Sequence, residues 1–316
     1  MAQPRILVTG GAGFLGSHLC DRLVESGADV LCLDNFLTGS RENIAHLLDK
    51  TNFELIRHDV VEPILLEVDQ IYNLACPSSP VAYEANAVKT VKTNVMGAIN
   101  MLGIAKRVKA RIVQASSSGV YGVSDKAPQK ENDWGSINCT SRRACHDEGK
   151  RVAETLMMDY HAQNKVDVGI ARVFNTYGPR MPTGDGRVVS SFIVAALTGE
   201  PLVIHGDGLQ VRGFCHVSDM VDGLMRLMDQ KGFTGPVNLG HPGQVSIRDL
   251  AKKILELTGS RSELVFTQKA ENDSTARFAD IALAEETLRW RPRTSLEHGL
   301  AAAIDYFANV LEKQRS

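Results

Sequence analysis

Surplus charge is the first thing this sequence lacks. Its 35 Lys and Arg stand against 37 Asp and Glu, a formal net charge of -2, so no general basic field draws nucleic acid or an anionic membrane. Anionic small substrates need a local basic patch instead. Long apolar runs are missing as well: none reaches the roughly 18 residues of a membrane span. The start, MAQPRILVTG, has only Arg5 before a short apolar run that enters a glycine loop. The chain is therefore read as cytoplasmic, with neither membrane nor nucleic acid as partner. Its six cysteines (Cys20, Cys32, Cys76, Cys139, Cys145, Cys215) form no C-x-x-C pair and no His/Cys cluster at ligand spacing. That pattern points to reduced thiols and no metal. Internal repeats and low-complexity linkers are absent too, so the chain reads as one compact unit.

A length of 316 residues suits one large α/β body or two fused lobes sharing a cleft. The first half alternates short β-branched runs with helical stretches, the pattern of a doubly wound parallel sheet. Strands are expected at Arg5–Thr9, Asp29–Leu33, and in FELIR from Phe53, QIYNL from Gln70, RIVQA from Arg111 and DVGIAR from Asp167. Helices are expected at Phe14–Ser26, near Asn86–Arg107 and near Asp147–Gln163. After Asn175 glycine and proline recur (YGPRMPTGDGR, HGDG, GHPG) and the elements shorten. This texture suggests a smaller lobe over the carboxyl ends of the strands, where open α/β sheets bind ligands.

The segment VTGGAGFLG places Gly10, Gly13 and Gly16 directly after a strand and at the start of a helix that opens with Phe14 and Leu15. Glycines there permit a tight turn and let backbone N–H groups and the helix N-terminus approach a pyrophosphate. Asp34 ends the second strand 18 residues after Gly16, where an acid accepts hydrogen bonds from an adenosine ribose. An acid at that point repels a 2′-phosphate, so NAD is favoured over NADP.

The G-x-x-G-x-x-G spacing resembles the extended short-chain dehydrogenase/reductase family. That resemblance implies a Rossmann-type domain over residues 1–178, with a contribution from about 214–240, and a nucleotide-sugar lobe over residues 179–316. It implies further cofactor contacts at Asn35, at Asp59 and Val60 after the third strand, and at Ala75 and Pro77 in NLACPSSP. It also implies contacts at Lys92 and Asn94 in KTVKTNVMG. Within the family, DEGKRVAETLMMDYH, ARVFNTYGPRM, DGRVVSSFIVAAL, GDGLQVRGFCHVSD and LRWRPRTSLEHGL are similar to segments of the UDP-glucuronate decarboxylases. In that group NAD+ oxidises sugar C4, the 4-keto acid loses carbon dioxide, and NADH returns the hydride, giving UDP-xylose. A UDP-glucuronate-type nucleotide-sugar is thus the implied partner, with Asn175, Arg187, Val188, Arg212 and Arg277 around its diphosphate. Arginine suits that role because its planar fork donates two parallel hydrogen bonds. The resemblance also implies a homodimer through the two long helices, with Leu102, Val152 and Met157 as apolar contributors.

The reaction residues depart from the group's pattern. Where its Tyr-x-x-x-Lys pair sets a phenol one turn before a lysine, this chain has His146 and Lys150. Where the group reads S-T-S-E-V-Y-G, this chain reads Ser116 to Gly122, keeping a hydroxyl at Ser117 and having Gly119 in place of the carboxylate. Neutral imidazole is a competent base, and Lys150 nearby disfavours a second positive charge. Its Nε2, however, lies roughly 2 Å closer to its own Cα than a phenol oxygen does. Tyr121 is read as a packed ring. Cys145 is not read as a nucleophile, because adjacent helix residues do not face each other. Three functions fit these residues: a decarboxylase with an altered base, an NAD-dependent epimerase, dehydratase or oxidase on another nucleotide-sugar, and a binding protein without turnover.

Overall fold

The computed structural model describes residues 3–123, 126–268 and 274–315. Six strands, β1 (Arg5–Thr9), β2 (Asp29–Asp34), β3 (Phe53–Arg57), β4 (Gln70–Asn73), β5 (Arg111–Ser117) and β6 (Val168–Val173), join Val237–Leu239 in a seven-stranded sheet. All its pairings are parallel. Parallel strands covered on both faces need near-continuous apolar runs, and β2, DVLCLD, is buried from Val30 to Asp34. The order runs Val237–Leu239, β6, β5, β4, β1, β2, β3. The chain therefore winds outward from β1 to β3, returns, and winds the other way from β4. That reversal opens a crevice at the carboxyl ends of β1 and β4.

Helix α1 (Phe14–Glu25) and the helix Val217–Asp229 cover one face of the sheet, packing Leu19, Leu23, Leu224 and Leu227 in one core cluster. After the short α2 (Pro80–Ala85), α3 (Ala87–Val108) and α4 (Ala144–Asn164) cover the other face. Leu102 and Met157 belong to this second core and are fully buried, so they are not the outward-facing residues expected above. Three helices, Val188–Thr198, Ile247–Thr258 and Leu296–Arg315, enclose a third cluster with Phe192, Ile204, Leu250 and Phe307. The first helix stops at Glu25 with Ser26 as its cap, and β5 continues two residues past Ala115. That extension carries Ser116 and Ser117 to the crevice. No helix among the described residues is long and apolar enough to cross a membrane.

Candidate active site

A cavity of roughly 470 Å³ lies over the crevice, walled by the loops after β1, β2, β4 and β5, by α4, and by the C-terminal lobe. At its floor Gly10 sits at φ +67° with its Cα face against Ala75, where a Cβ would come within 2.9 Å of the Ala75 Cα. Only glycine fits that turn. Helix α1 starts from Gly13 with no side-chain cap hydrogen bond, so first-turn N–H groups of Phe14, Leu15 and Gly16 remain for a ligand. Gly13, Phe14, Leu15 and Gly16 all line the cavity, a ready site for a diphosphate.

Asp34 lines the same wall and is buried. Burial pushes its pKa up, while the N–H groups of Phe36 and Ala12, donating at 2.8 and 3.0 Å, pull it back. The carboxylate thus fixes the glycine loop as well as facing the cleft. Asn35 and Val60 reach the wall, but Asp59 does not: its carboxylate accepts from Asn35 Nδ2 at 2.9 Å and pairs with Lys89. Lys92 is exposed, and its neighbour Thr93 lines the cavity. On this helix the lysine that reaches the strand ends is Lys89. Ala75 and Pro77 stand on the wall as expected. Asn94 is buried behind it, donating to the Thr90 carbonyl at 3.0 Å and packed against Gly149 of α4.

At the reaction end β5 and α4 bring together Ser117, His146 and Lys150. Ser117 Oγ accepts from the Gly119 N–H at 3.0 Å, and Lys150 Nζ donates to the Ala115 carbonyl at 2.7 Å. His146 is 3% exposed, its ring centroid 5.6 Å from that of Tyr83. Its Nδ1 lies 2.8 Å from Asp147 Oδ1, and Arg143 Nε donates to Asp147 Oδ2 at 2.8 Å. Burial pulls the His146 pKa down to about 4 against the upward pull of Asp147. The ring is therefore neutral at pH 7.

Gly119 is buried and is not part of the cavity wall. Tyr121 is locked behind the wall: its hydroxyl donates to Asn238 Oδ1 at 2.7 Å and accepts from Arg172. Burial pushes its pKa up to about 12. Cys145 directs its thiol at the carbonyls of Tyr83 and Arg142, and burial pushes its pKa up. Neither residue is placed for chemistry.

Asn175, Arg187 and Val188 line the opposite wall, joined by His205 and Arg212. Arg187 donates to Ser78 Oγ at 2.9 Å and lies over the Phe14 ring, joining this wall to the helix that follows the glycine loop. Arg212 is held by the carbonyls of Val211 and Ser274. Arg277 occupies the strand beside Arg212, but its guanidinium donates to the Gly122 carbonyl at 3.0 Å, off the wall. Sequence reasoning missed Tyr83, Thr93 and Arg143 on the wall. Thr93, flanked by Lys92 and Asn94, was within reach of the motif; Tyr83 and Arg143 carry no local signal.

A buried and a half-buried histidine give the fold a pH dependence. His146 and His18 are both held near a pKa of about 4, chiefly by burial, against the ordinary 6.5. Below pH 6.5 the unfolded chain takes up protons that the folded chain does not, so stability is full above that pH and falls progressively toward pH 4. The urea midpoint is expected to be lower at pH 5 than at pH 7. Equal midpoints would contradict this.

The sheet, the glycine loop and the arginine-lined lobe define a Rossmann-type protein with a cleft at the carboxyl ends of its strands. Residues 6–240 match the NAD dependent epimerase/dehydratase family, and the chain belongs to that family. It is 54% identical over 303 residues to UDP-glucuronic acid decarboxylase 4 from Arabidopsis thaliana, covering 96% of this chain and 68% of that protein. UDP-glucuronic acid decarboxylase 3 from the same plant is 53% identical over 313 residues, covering 99% and 91%. Among solved structures, the UDP-glucuronic acid 4-epimerase of Bacillus cereus, in complex with UDP-glucuronic acid and NAD, superposes with a TM-score of 0.88 at 29% identity. The match covers 97% of this chain and 99% of that one.

Proposed function

We propose that this protein binds NAD and a UDP-sugar of the UDP-glucuronate class, oxidises the sugar at C4, and completes decarboxylation to UDP-xylose slowly. One observation carries the reading: the glycine loop, Asp34, the Ser117–His146–Lys150 group and two arginines wall a single cavity. The uncapped start of α1 would hold the dinucleotide diphosphate, and Asp34 its adenosine ribose. NAD+, when bound there, supplies the hydride acceptor and later the hydride donor. In this reading Ser117 Oγ would hold a sugar hydroxyl and His146 would take its proton, with the Lys150 ammonium beside them on the same wall. With glycine at 119, no carboxyl group from that position returns a proton to C5, which makes completion slow.

The deciding experiment incubates the purified protein with NAD+ and UDP-glucuronate and follows products by mass spectrometry. A 4-keto sugar with little UDP-xylose is expected. Abundant UDP-xylose would refute slow completion. Ligand that binds but stays unchanged would make this a non-catalytic binder, and any other product would identify an epimerase or dehydratase instead. The family reading and the six unpaired thiols support a reducing, cytoplasmic setting.

Arg187→Ala and Arg212→Ala are each expected to weaken UDP binding in calorimetry by about 1.5 to 3 kcal/mol, the worth of a charge-assisted hydrogen bond. Arg277→Ala, off the wall, is expected to have the smaller effect. Intact UDP binding in both wall variants would mean that the diphosphate lies elsewhere.

The protein is also proposed to be a homodimer. Val88, Val91, Met96 and Ile99 form an exposed apolar stripe on α3, spaced three to five residues apart, and Val152 and Met158 of α4 are exposed as well. A two-fold pairing of these helices covers them. Light scattering at micromolar concentration should give twice the 34.4 kDa chain mass. A monomer mass would contradict it.

A further inference from the structure

The carboxylate of Asp147 has an unusual set of neighbours. It is buried, receives Arg143 Nε at 2.8 Å, and faces His146 Nδ1 at 2.8 Å from the residue next in the chain. Its third neighbour is a space: a Cβ added at Gly119 would overlap Asp147 Oδ1 and come within 2.9 Å of Asp147 Cγ. Gly119 has no positive φ to explain its being glycine. The room for a side chain there is already occupied.

We propose that Asp147 is a positioning residue that fixes His146 as the Nδ1–H tautomer, presenting Nε2 to the cleft as proton acceptor, and that Gly119 is glycine because this carboxylate fills its side-chain space. The argument rests on hydrogen-bond inventory. An ionised carboxylate only accepts, so the nitrogen facing it carries the proton, and the other ring nitrogen keeps its lone pair. Asp147 is held in the ionised form: burial works against it, but its hydrogen bond with His146 and the Arg143 charge outweigh burial and keep its pKa below the ordinary carboxylate value. When Nε2 takes a proton from a sugar hydroxyl, the resulting imidazolium still donates from Nδ1 to Asp147, which stabilises the new charge in place. Arg143 holds the second carboxylate oxygen, so that the two contacts together resist rotation. Positions 119 and 147 are in this view one device, and neither changes freely without the other.

The catalytic consequence rests on the proposed C4 oxidation; the tautomer and the packing do not. The test therefore starts with the protein alone. In protein labelled with 15N-histidine, with the His146 resonances assigned by their loss in His146→Gln, Nδ1 is expected to be protonated and Nε2 bare at pH 7. Asp147→Ala is expected to shift His146 toward the Nε2–H form. Gly119→Ala should do the same by displacing the carboxylate, and should add nothing on the Asp147→Ala background. An Nε2–H tautomer in the native protein, or a Gly119→Ala effect that persists in full without Asp147, would overturn the proposal. In turnover, Asp147→Ala should lower the rate of 4-keto sugar formation at least about 10-fold while the UDP-glucuronate KM stays within about twofold, a split typical of a lost transition-state interaction. An equal rate would remove Asp147 from the chemistry. Failure of NAD or UDP-sugar binding in calorimetry would sink the proposed function while leaving the tautomer result standing.

Discussion

His146→Tyr is expected to raise the rate of C4 oxidation of UDP-glucuronate by on the order of 100-fold, read as NADH absorbance and as a 4-keto product. A misplacement of about 1 Å already costs about that factor, and a phenol restores the reach that the shorter imidazole lacks. The remaining parts are in place: Lys150 is one turn along α4 and 3% exposed, and Ser117 lines the same wall. Little UDP-xylose should form, because the substitution supplies a base and no donor for C5. A rate equal to or below that of the native protein would show that His146 is already the better base in this cleft.

Gly119→Glu is expected to be sharply damaging in the native background and much less so beside His146→Tyr. Alone, it drives a buried carboxylate into the space held by Asp147. Overpacking of this kind costs about 1–3 kcal/mol, and two like charges in contact add to it. A fall in Tm of about 5 °C or more is the expected sign. In the double variant the Nδ1 tether is gone, Asp147 retains only Arg143, and the carboxylate can turn out to make room. The double variant should then carry the reaction through to UDP-xylose. Residues acting as one unit are strongly non-additive, so additive stability effects of the two changes would contradict the coupling between positions 119, 146 and 147.

What the sequence disclosed, and what it hid, follows from the range over which each feature is determined. The glycine loop was legible because its requirement is local: Gly10 turns at φ +67° directly after β1. Asp34 was legible for the same reason, as the last residue of β2. Lys92 was misplaced by helical phase. A shift of one residue turns a side chain by about 100° around a helix, so Thr93 reaches the cleft while Lys92 faces out. Leu102 and Met157 failed likewise: apolar residues on long amphipathic helices are equally good candidates for the core and for an interface, and only packing decides. Arg143 and Tyr83 were missed although each lies within three residues of a motif, because no motif position falls on them and only the packing of α2 against the start of α4 sets them beside His146. The part played by Asp147 was the least accessible of all, since it depends on which way one short side chain turns.

The reversal of winding between β3 and β4 divides the molecule's labour by chain segment. Residues from Gly10 to Val60 wall the cleft from the first half of the sheet, and residues from Ser117 to Lys150 wall it from the second. Selection can therefore rewrite the chemistry along one stretch of gene while leaving the cofactor's address on another untouched. In such a protein, strong retention of the cofactor is no guide to how fast, or toward what product, the other half works.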